Sequence, residues 1–385
     1  MGVVPFPVDL SLFEGHSHSP PLGVLQRSMG PGAPALSDFC IPVNLYFPTP
    51  RLFADLRANL ETALRFYPAG NEAIAAELAA VLRLPEETLV MANGSTELIT
   101  WIDWLLVRDR LATPVPTFGR WTDHPTEIGR HVAPFVLRPE EDFRLDPDAF
   151  IRFVRRRGAR AAAICNPNNP TAGLIARQDV LRLCDALADL DVVVIDESFI
   201  DFADDETVPS IAAEATLRRN VVVLKSLGKN FGLHGLRAGY AVASPPLADR
   251  LRSSLPHWNV NGVAEFFIRA LKRHWGDYES GRRRTVAERV AFERRLRRVP
   301  GLVVFPSMAN FVYVRLPRGV DGVAVRNRML CQHGCLIREC SNKLGSDGSY
   351  LRLAVRPADE GRRLVWALRE TVAFFHRANG RVAVA

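Results

Sequence analysis

The stretch SLGKNFGLHGLRAGY, residues 226–240, decides which fold this sequence predicts. It places a serine three residues before Lys229 and an arginine, Arg237, eight residues after it. The chain has 385 residues but only four lysines against 45 arginines, so few side chains can form a Schiff base with a carbonyl group. These lysines are Lys225, Lys229, Lys272 and Lys343. Lys229 is the best placed, but a serine three residues before a lysine is common in ordinary loops, so the interpretation depends on other motifs.

The segment NGSTE, residues 93–97, predicts an anion site. It follows the apolar run 89–91 and precedes a helical pattern over residues 98–106. At such a junction, the free N–H groups of the first helical turn and the helix dipole point at an anion. The alternative is a helix cap in which Ser95 or Thr96 only satisfies that first turn.

Two further motifs follow apolar strands. The segment NPNNPTAG, residues 166–173, comes directly after the apolar run 161–164. A turn explains its prolines and asparagines, but not its position at the end of one predicted strand and before another. Residues 192–195 are four consecutive β-branched residues that lead into Asp196, as is typical of a strand buried on both faces with an acid at its carboxyl end. Taken alone, an aspartate at the end of a strand is more often a helix cap, which is the alternative for Asp196.

Together these motifs resemble the fold-type-I pyridoxal-phosphate-dependent aminotransferase superfamily (class I and II) over about residues 67–357. The branch that they resemble most contains histidinol-phosphate aminotransferase and threonine-phosphate decarboxylase. The resemblance implies that the cofactor is pyridoxal 5′-phosphate and that Lys229 forms a Schiff base with it. The residues that it implies as ligands of the cofactor phosphate are Ser226, Arg237, Gly94, Ser95 and Thr96.

The resemblance also assigns side chains around the cofactor ring. Phe118 is expected to lie against the face of the pyridine, with Trp121 as the alternative, and either could be an ordinary core aromatic. Asn169 is expected to bind the phenolic oxygen. Asp196 is expected to pair with the protonated pyridine nitrogen, because a cationic ring is the better electron sink. Phe199 stands where many aminotransferases have a tyrosine that contacts the same phenolic oxygen, so one donor is missing.

Further residues are expected to contact the substrate and a partner subunit. Arg352 matches the arginine that clamps the substrate α-carboxylate, which a guanidinium fits bidentately, and Asn169 is expected beside the same substrate. Arg338 stands where relatives that use phosphorylated substrates place an arginine for the side-chain phosphate. In a chain so rich in arginine, a salt bridge is the alternative for Arg338. Tyr67 resembles the tyrosine that reaches the cofactor phosphate of a neighbouring subunit, which implies a homodimer.

The order of strands and helices predicts an α/β fold with two domains. The large, cofactor-binding domain, residues 44–262, is expected to contain a mostly parallel sheet of seven strands with helices on both faces. The smaller αβ domain is expected to comprise residues 1–43 and 263–385. The predicted strands are 88–91, 111–115, 132–137, 161–165, 191–196, 220–224 and 238–243 in the large domain, and 302–305, 310–315, 335–338 and 350–355 in the small one.

The ends of the chain are expected to complete the small domain. Helices are predicted at 263–299 and 358–376. The first 40 or so residues, rich in proline and glycine, are expected to fold back onto this domain and help to cover the site. His16 and His18 in this arm are either substrate contacts or simply exposed to solvent.

Composition is typical of a large enzyme without a nucleic-acid or membrane partner. The net charge is +7, but the arginines are spread along the chain, and the dense runs 152–160 and 282–298 look like solvated helix faces without interleaved aromatics. No apolar stretch approaches the roughly 20 residues of a membrane span. The N-terminus lacks the basic region and long apolar core of a secretory signal, so we expect a cytoplasmic protein.

The six cysteines are expected to be reduced thiols, because they include no C-x-x-C pair. Cys331, His333, Cys335 and Cys340 lie close together in the sequence. Their spacing matches no common zinc pattern, so we expect no metal site.

The resemblance implies an enzyme that forms an external aldimine with a small α-amino acid. The family as a whole favours an aminotransferase, here in a specialised biosynthetic pathway. Phe199 favours the alternative, a decarboxylase of a phosphorylated or otherwise acidic amino acid; another lyase of this cofactor and a non-catalytic cofactor-binding protein are further alternatives. Whichever bond of the α-carbon stands perpendicular to the ring breaks, and the freed Lys229 amine is the expected proton carrier.

Overall fold

The computed structural model describes residues 6–14, 19–33, 35–204 and 210–382, so His16 and His18 lie outside the described residues. In this part of the chain, the strands are β1 (Ser37–Asp38), β2 (Leu89–Ala92), β3 (Arg110–Val115), β4 (His131–Val136), β5 (Ala161–Cys165), β6 (Val192–Asp196), β7 (Val221–Ser226), β8 (Gly239–Ala243), β9 (Val303–Val304), β10 (Phe311–Arg315), β11 (Cys335–Leu336), β12 (Arg338–Glu339) and β13 (Tyr350–Ala354). The α-helices are α1 (Leu22–Ser28), α2 (Pro50–Arg65), α3 (Asn71–Leu82), α4 (Ser95–Leu105), α5 (Arg120–Glu127), α6 (Pro147–Arg157), α7 (Arg177–Ala186), α8 (Ala212–Ala215), α9 (Leu227–Asn230), α10 (Pro245–Arg252), α11 (Gly262–Leu296), α12 (Gly322–His333) and α13 (Ala358–Val382).

The largest sheet has seven strands in the order β2-β8-β7-β6-β5-β3-β4. Strand β8 runs antiparallel to both of its neighbours, and the other neighbouring pairs are parallel. The prediction of a mostly parallel seven-stranded sheet is therefore confirmed, and each strand boundary lies within two residues of the predicted one.

The β-branched strands form the middle of this sheet because both of its faces are covered. Successive side chains of a strand point to opposite faces. In β6, Val193 and Ile195 pack into one hydrophobic cluster, whereas Val192 and Val194 pack into the other. All five residues of β6 are buried, as expected for a parallel strand with helices on both sides.

The second sheet is smaller and antiparallel, with the order β12-β13-β10-β9. The prediction of one strand over 335–338 is wrong, because this segment contains two short strands with different partners. β11 pairs in parallel with β1, whereas β12 pairs antiparallel with β13. Ile337, between them, is fully buried, so the chain changes partners within the small-domain core rather than at the surface.

The N-terminal arm packs against the elements that follow the large sheet. Leu25 and Cys40 share a hydrophobic cluster with Leu330 of α12 and Leu336 of β11. The arm then continues past the edge of the large sheet, where the Asn44 N–H donates to the Lys229 carbonyl at 3.0 Å. The division into a large domain, 44–262, and a small domain from both ends of the chain stays a proposal consistent with this packing.

Two long helices frame the small sheet. α11 begins after Asn261, whose side chain accepts a hydrogen bond from the Ala264 N–H at 2.9 Å and so caps the helix. α13 continues to Val382, beyond the predicted end at residue 376. None of the described helices combines the length and the apolar character that crossing a membrane requires.

Candidate active site

The predicted site residues meet at one edge of the large sheet. β5, β6 and β7 are parallel, so their carboxyl ends lie at the same edge: Asn169 follows β5, Asp196 ends β6, and Lys229 follows β7. A cavity of about 350 Å³ opens there. The predicted residues that line it are Ser95, Thr96, Phe118, Asn169, Ser226, Lys229, Arg237, Arg338 and Arg352.

A turn before α4 forms a concave cationic surface. Gly94 has φ +85°, and a Cβ there would lie 2.5 Å from Nη2 of Arg237, so only a glycine lets the guanidinium lie against the turn. Gly239 is likewise required, because a Cβ there would overlap the backbone nitrogen of Ser95. The N-terminal turn of α4, the Ser226 side chain and Arg237 therefore lie around one concavity that suits a phosphate.

The Lys229 side chain is half-buried at the cavity, and its amine lies between aromatic rings. Its Nζ lies 4.8 Å from the ring centroid of Phe199 and 5.4 Å from that of Phe118. Burial lowers the pKa of Lys229 below its ordinary value, although the nearby Asp196 carboxylate opposes this change. A larger fraction of neutral amine makes Lys229 a better nucleophile.

Lys225, four residues earlier, has the opposite electrostatic environment. Its Nζ lies 3.0 Å from Oδ1 of Asp201 and 4.0 Å from Oε2 of Glu197. Burial alone would lower the pKa of Lys225, but Asp201 and other acidic neighbours raise it above its ordinary value. Lys225 is therefore a fixed cation in a structural ion pair and cannot compete as a nucleophile.

The Asp196 carboxylate is buried and accepts hydrogen bonds from three donors, of which the Cys165 thiol is the most distant at 3.9 Å. The indole Nε1–H of Trp121 donates to Oδ2 at 3.2 Å, and the Ser198 N–H donates to Oδ1 at 3.0 Å. Trp121 is fully buried and does not line the cavity, so of the two aromatic candidates only Phe118 lies at the cavity surface. Trp121 instead fixes the orientation of the acid.

Arg352 on β13 crosses from the small sheet to the large one. Its Nη1–H donates to Oδ1 of Asn169 at 2.7 Å, and its Nη2–H donates to the Cys40 carbonyl at 2.7 Å. Among the described residues, Nε of Arg352 is buried without a hydrogen-bond partner. Arg352 thus links the asparagine motif, the N-terminal arm and the small sheet, with one donor still unused.

Arg338 on β12 lies at the rim of the cavity. Its Nη2–H donates to Oδ1 of Asn342 at 2.7 Å, and its Nη1–H donates to Oγ of Ser19 in the arm at 3.3 Å. The arm therefore forms part of the cavity wall, and Cys40 and Ile41 line it as well.

Outside the N-terminal arm, which was expected to help cover the site, sequence reasoning missed two residues that line the cavity, Lys343 and His234. The loop after β12 carries Lys343 across to the large sheet, and Gly345 in this loop packs against Val115 at the end of β3. Burial, reinforced by Arg338, lowers the pKa of Lys343 to about 8. Among the described residues, Nζ of Lys343 makes no hydrogen bond or ion pair, and it lies 5.8 Å from the ring centroid of Phe118. The scarcity of lysine was the one sequence signal that could have drawn attention to it.

His234 is the second missed residue. Burial, together with the charge of Lys229, lowers its pKa to about 4, so the imidazole is neutral near pH 7. One ring nitrogen lies 3.4 Å from the Pro42 carbonyl of the arm. His234 stands within the motif that supplied Lys229 and Arg237, where no rule of spacing distinguishes it.

Tyr67 does not line the cavity of its own chain. Its side chain is 80% exposed and its ring lies 4.7 Å from that of Trp258. An exposed aromatic pair of this kind is compatible with a contact to a partner subunit, so the role of Tyr67 in a neighbouring site stays a proposal.

The described residues fit pyridoxal phosphate. The cavity combines a cradle that a Cβ at Gly94 would fill, a desolvated lysine, a buried carboxylate below it and an aromatic wall. The family model for "Aminotransferase class I and II" matches residues 48–368. The chain belongs to this family. Its cofactor is pyridoxal 5′-phosphate, and the fold predicted from the sequence is confirmed.

Relatives from this family include both decarboxylases and aminotransferases. The chain is 35% identical over 341 residues to CMP-5′-(3-aminopropyl)phosphonate synthase of Streptomyces rubellomurinus, covering 88% of this chain and 53% of that protein. It is 30% identical over 363 residues to L-serine phosphate decarboxylase of Sulfurospirillum multivorans, covering 92% of each. Histidinol-phosphate aminotransferases also match, so the predicted branch of the family is confirmed.

A solved structure gives the same picture. A decarboxylase from Sulfurospirillum multivorans superposes with a TM-score of 0.82 at 29% identity, over 92% of this chain and 93% of that one. The chain spans about half the length of the Streptomyces relative. Within the described residues, no group of three His, Cys, Asp or Glu side chains could hold a metal ion.

Replacing Asp196 tests the electrostatic centre of the site. Asp196→Asn keeps the shape but removes the charge, so we expect turnover of the holoenzyme to fall by about 100-fold or more. Trp121→Phe leaves the carboxylate charge in place and removes one hydrogen bond to it, worth about 1.5–3 kcal/mol, together with part of a buried ring, so it should retain more activity. Rates and cofactor absorbance are measured for both variants. Unchanged turnover of Asp196→Asn would contradict the assignment.

Proposed function

We propose that this protein is a pyridoxal-phosphate-dependent decarboxylase of an α-amino acid whose side chain carries a phosphoryl group. The observation that carries the proposal is the charge of the cavity. Of the described residues that line it, five are cations and none is an aspartate or glutamate. The cations are Lys229, Arg237, Arg338, Lys343 and Arg352.

These cations exceed what the cofactor and an α-carboxylate require. Arg237 lies at the phosphate cradle, and Lys229 is the residue for the cofactor aldehyde. Arg352 suits one carboxylate. Arg338 and Lys343 remain on one side of the cavity. The Lys343 side chain is buried, and burying a cation is unfavourable unless anionic groups lie beside it; the Asp123 carboxylate offsets only part of this cost. A side-chain phosphoryl group, with up to two negative charges and three acceptor oxygens, fits this pair best.

Aromatic walls favour loss of the carboxylate over loss of the α-proton. Phe118 and Phe199 border the Lys229 amine, and Phe199 packs edge-on against Phe311 with ring centroids 4.9 Å apart. A carboxylate held against apolar rings is poorly solvated, whereas carbon dioxide is neutral and is not penalised there. The Sulfurospirillum relative, named as a decarboxylase of serine phosphate, and the Streptomyces relative, named for an aminopropyl phosphonate product, support this choice.

The cofactor, when bound, supplies the electron sink that makes either bond cleavage possible. The chain's own residues do the rest. Arg352 and Asn169 would orient the substrate beside the sheet edge, Asp196 would stabilise positive charge on the pyridine nitrogen, and Lys229 Nζ would carry the proton that replaces the lost group. The aromatic walls and the arm exclude water.

Transamination is the second candidate. The observation that favours it is the lowered pKa of Lys229, since a neutral amine next to the α-carbon is a competent base for the α-proton. Histidinol-phosphate aminotransferases among the relatives are in line with it.

Product analysis distinguishes the two reactions. With O-phospho-L-serine as the probe, the holoenzyme should release one carbon dioxide for each substrate consumed, yield phosphoethanolamine and keep its cofactor as the aldehyde. L-Serine, which lacks the phosphoryl group, should react at least about tenfold less efficiently, because it cannot form the charged hydrogen bonds that a phosphoryl group makes with Arg338 and Lys343. A keto acid together with the pyridoxamine form of the cofactor would contradict decarboxylation.

The pH profile tests the role of Lys343. Since its pKa in the structure is about 8, Lys343 is charged below this pH and neutral above it, so kcat/KM for O-phospho-L-serine should fall as the pH rises through about 8. Lys343→Arg, which stays charged, should lose this decline. Lys343→Met should be weaker by about 10- to 100-fold at low pH, which corresponds to one charged hydrogen bond. Identical profiles for the wild type and Lys343→Met would exclude Lys343 from phosphoryl binding.

A further inference from the structure

A second cavity, of about 380 Å³, adjoins the catalytic one. The two cavities share two lining residues, Ser19 and Arg338. The second cavity lies between the N-terminal arm and α12, and Phe13, Arg326 and Asn327 contribute to its wall. Nothing in the catalytic scheme above uses this space.

The partition between the cavities is thin. It includes the Arg338 Nη1–H and the Oγ of Ser19, which are 3.3 Å apart. Hydrogen bonds from a guanidinium to a good acceptor are usually about 2.7–2.9 Å long, so this contact is weak and an anionic oxygen would replace it readily. A phosphoryl group bound by Arg338 would therefore lie at the opening between the two cavities.

The small volume of the catalytic cavity indicates that part of the substrate binds in the second cavity. The catalytic cavity measures about 350 Å³ and has to hold both the cofactor and the amino acid skeleton. Pockets that enclose a single organic ligand usually measure about 300–1,000 Å³, so little room remains beyond the phosphoryl group. Any further substituent on the phosphorus has to extend past Arg338 into the second cavity.

The lining of the second cavity suits a polar organic group. The Arg326 guanidinium lies 4.2 Å from the ring centroid of Phe13, and its Nε–H and Nη2–H donate to Oδ1 of Asn327 at 3.0 and 2.8 Å. Arg326 forms no ion pair among the described residues. The nearby Glu339 carboxylate already accepts hydrogen bonds from the Ser341 N–H and hydroxyl. Glu14 also lines this cavity, so its wall carries charges of both signs. A flat guanidinium face with carboxylate, amide and hydroxyl groups around it is suited to sugars and heteroaromatic rings.

We infer that the second cavity binds an ester substituent on the substrate's phosphoryl group, of the size and polarity of a nucleoside. The inference rests on the proposed function in placing the phosphoryl group at Arg338. The preferred substrate is then a phosphodiester or phosphonate monoester of an amino acid rather than a simple phosphate monoester. Arg326 and Asn327 become residues that determine specificity without contacting the reacting atoms.

The experiment compares two probes on the holoenzyme, O-phospho-L-serine and the cytidine 5′-phosphodiester of L-serine. Affinity is followed through the cofactor absorbance and turnover through release of carbon dioxide. We expect kcat/KM and affinity to favour the diester by at least about tenfold, which corresponds to about 1.4 kcal/mol. Asn327→Trp, which fills the second cavity, should remove this preference and leave the monoester within about twofold of the wild type.

Two further variants keep the test independent of folding. Arg326→Gln removes the cationic face without adding volume and should also weaken only the diester. Arg328→Trp places the same large side chain on α12 next to Phe374, away from the cavity, where the Arg328 guanidinium lies 3.7 Å from the ring centroid. This control should leave both probes unchanged.

The outcomes separate the two proposals. Equal affinity for both probes, unaffected by Asn327→Trp and Arg326→Gln, would overturn the second cavity as a substrate site even if carbon dioxide is released. Tighter binding of the diester that these variants abolish, without release of carbon dioxide, would support the cavity and refute decarboxylation. Failure of both probes to bind would overturn both proposals.

Discussion

Burial of the Lys229 amine among other cations is the constraint on which the rest of the site depends. Arg237 and Arg352 lie close enough to lower the pKa of Lys229 further, and among the described residues Asp196 is the nearby carboxylate that raises it. The acid must therefore be fixed, which explains why a fully buried Trp121 is used as a hydrogen-bond donor to it. Lys225 lies in a different environment from Lys229. It forms an ion pair with Asp201 and therefore stays a structural cation.

The parallel sheet makes this concentration of charge possible. Three adjacent strand ends deliver Asn169, Asp196 and Lys229 to one edge, while the small sheet supplies Arg338 and Arg352 from the opposite side. The cations are thus held by two separate sheets, and bound anions would contact cations from both. Binding of the anionic cofactor and substrate should therefore stabilise the folded site, because without them like charges lie close to one another in the cavity.

The sequence predicted those parts of the fold and the site that depend on local patterns. Buried strands such as β6 can be recognised from their consecutive β-branched residues. The motifs around Gly94, Asn169 and Lys229 can be recognised because each directly follows such a strand. Lys343 could not be found in this way, because its place in the cavity arises from a loop that crosses between two sheets. The break at Ile337 was missed for a similar reason, since strand partners far apart in the chain decide it.

The scarcity of lysine makes the central claim directly testable. Reduction of the purified holoenzyme with borohydride fixes the cofactor to the lysine that holds it, and peptide mass spectrometry locates the modification. The electrostatic account predicts the pyridoxyl group on Lys229 alone. Modification of Lys343, which also lines the cavity with a lowered pKa, or of the ion-paired Lys225, would contradict it.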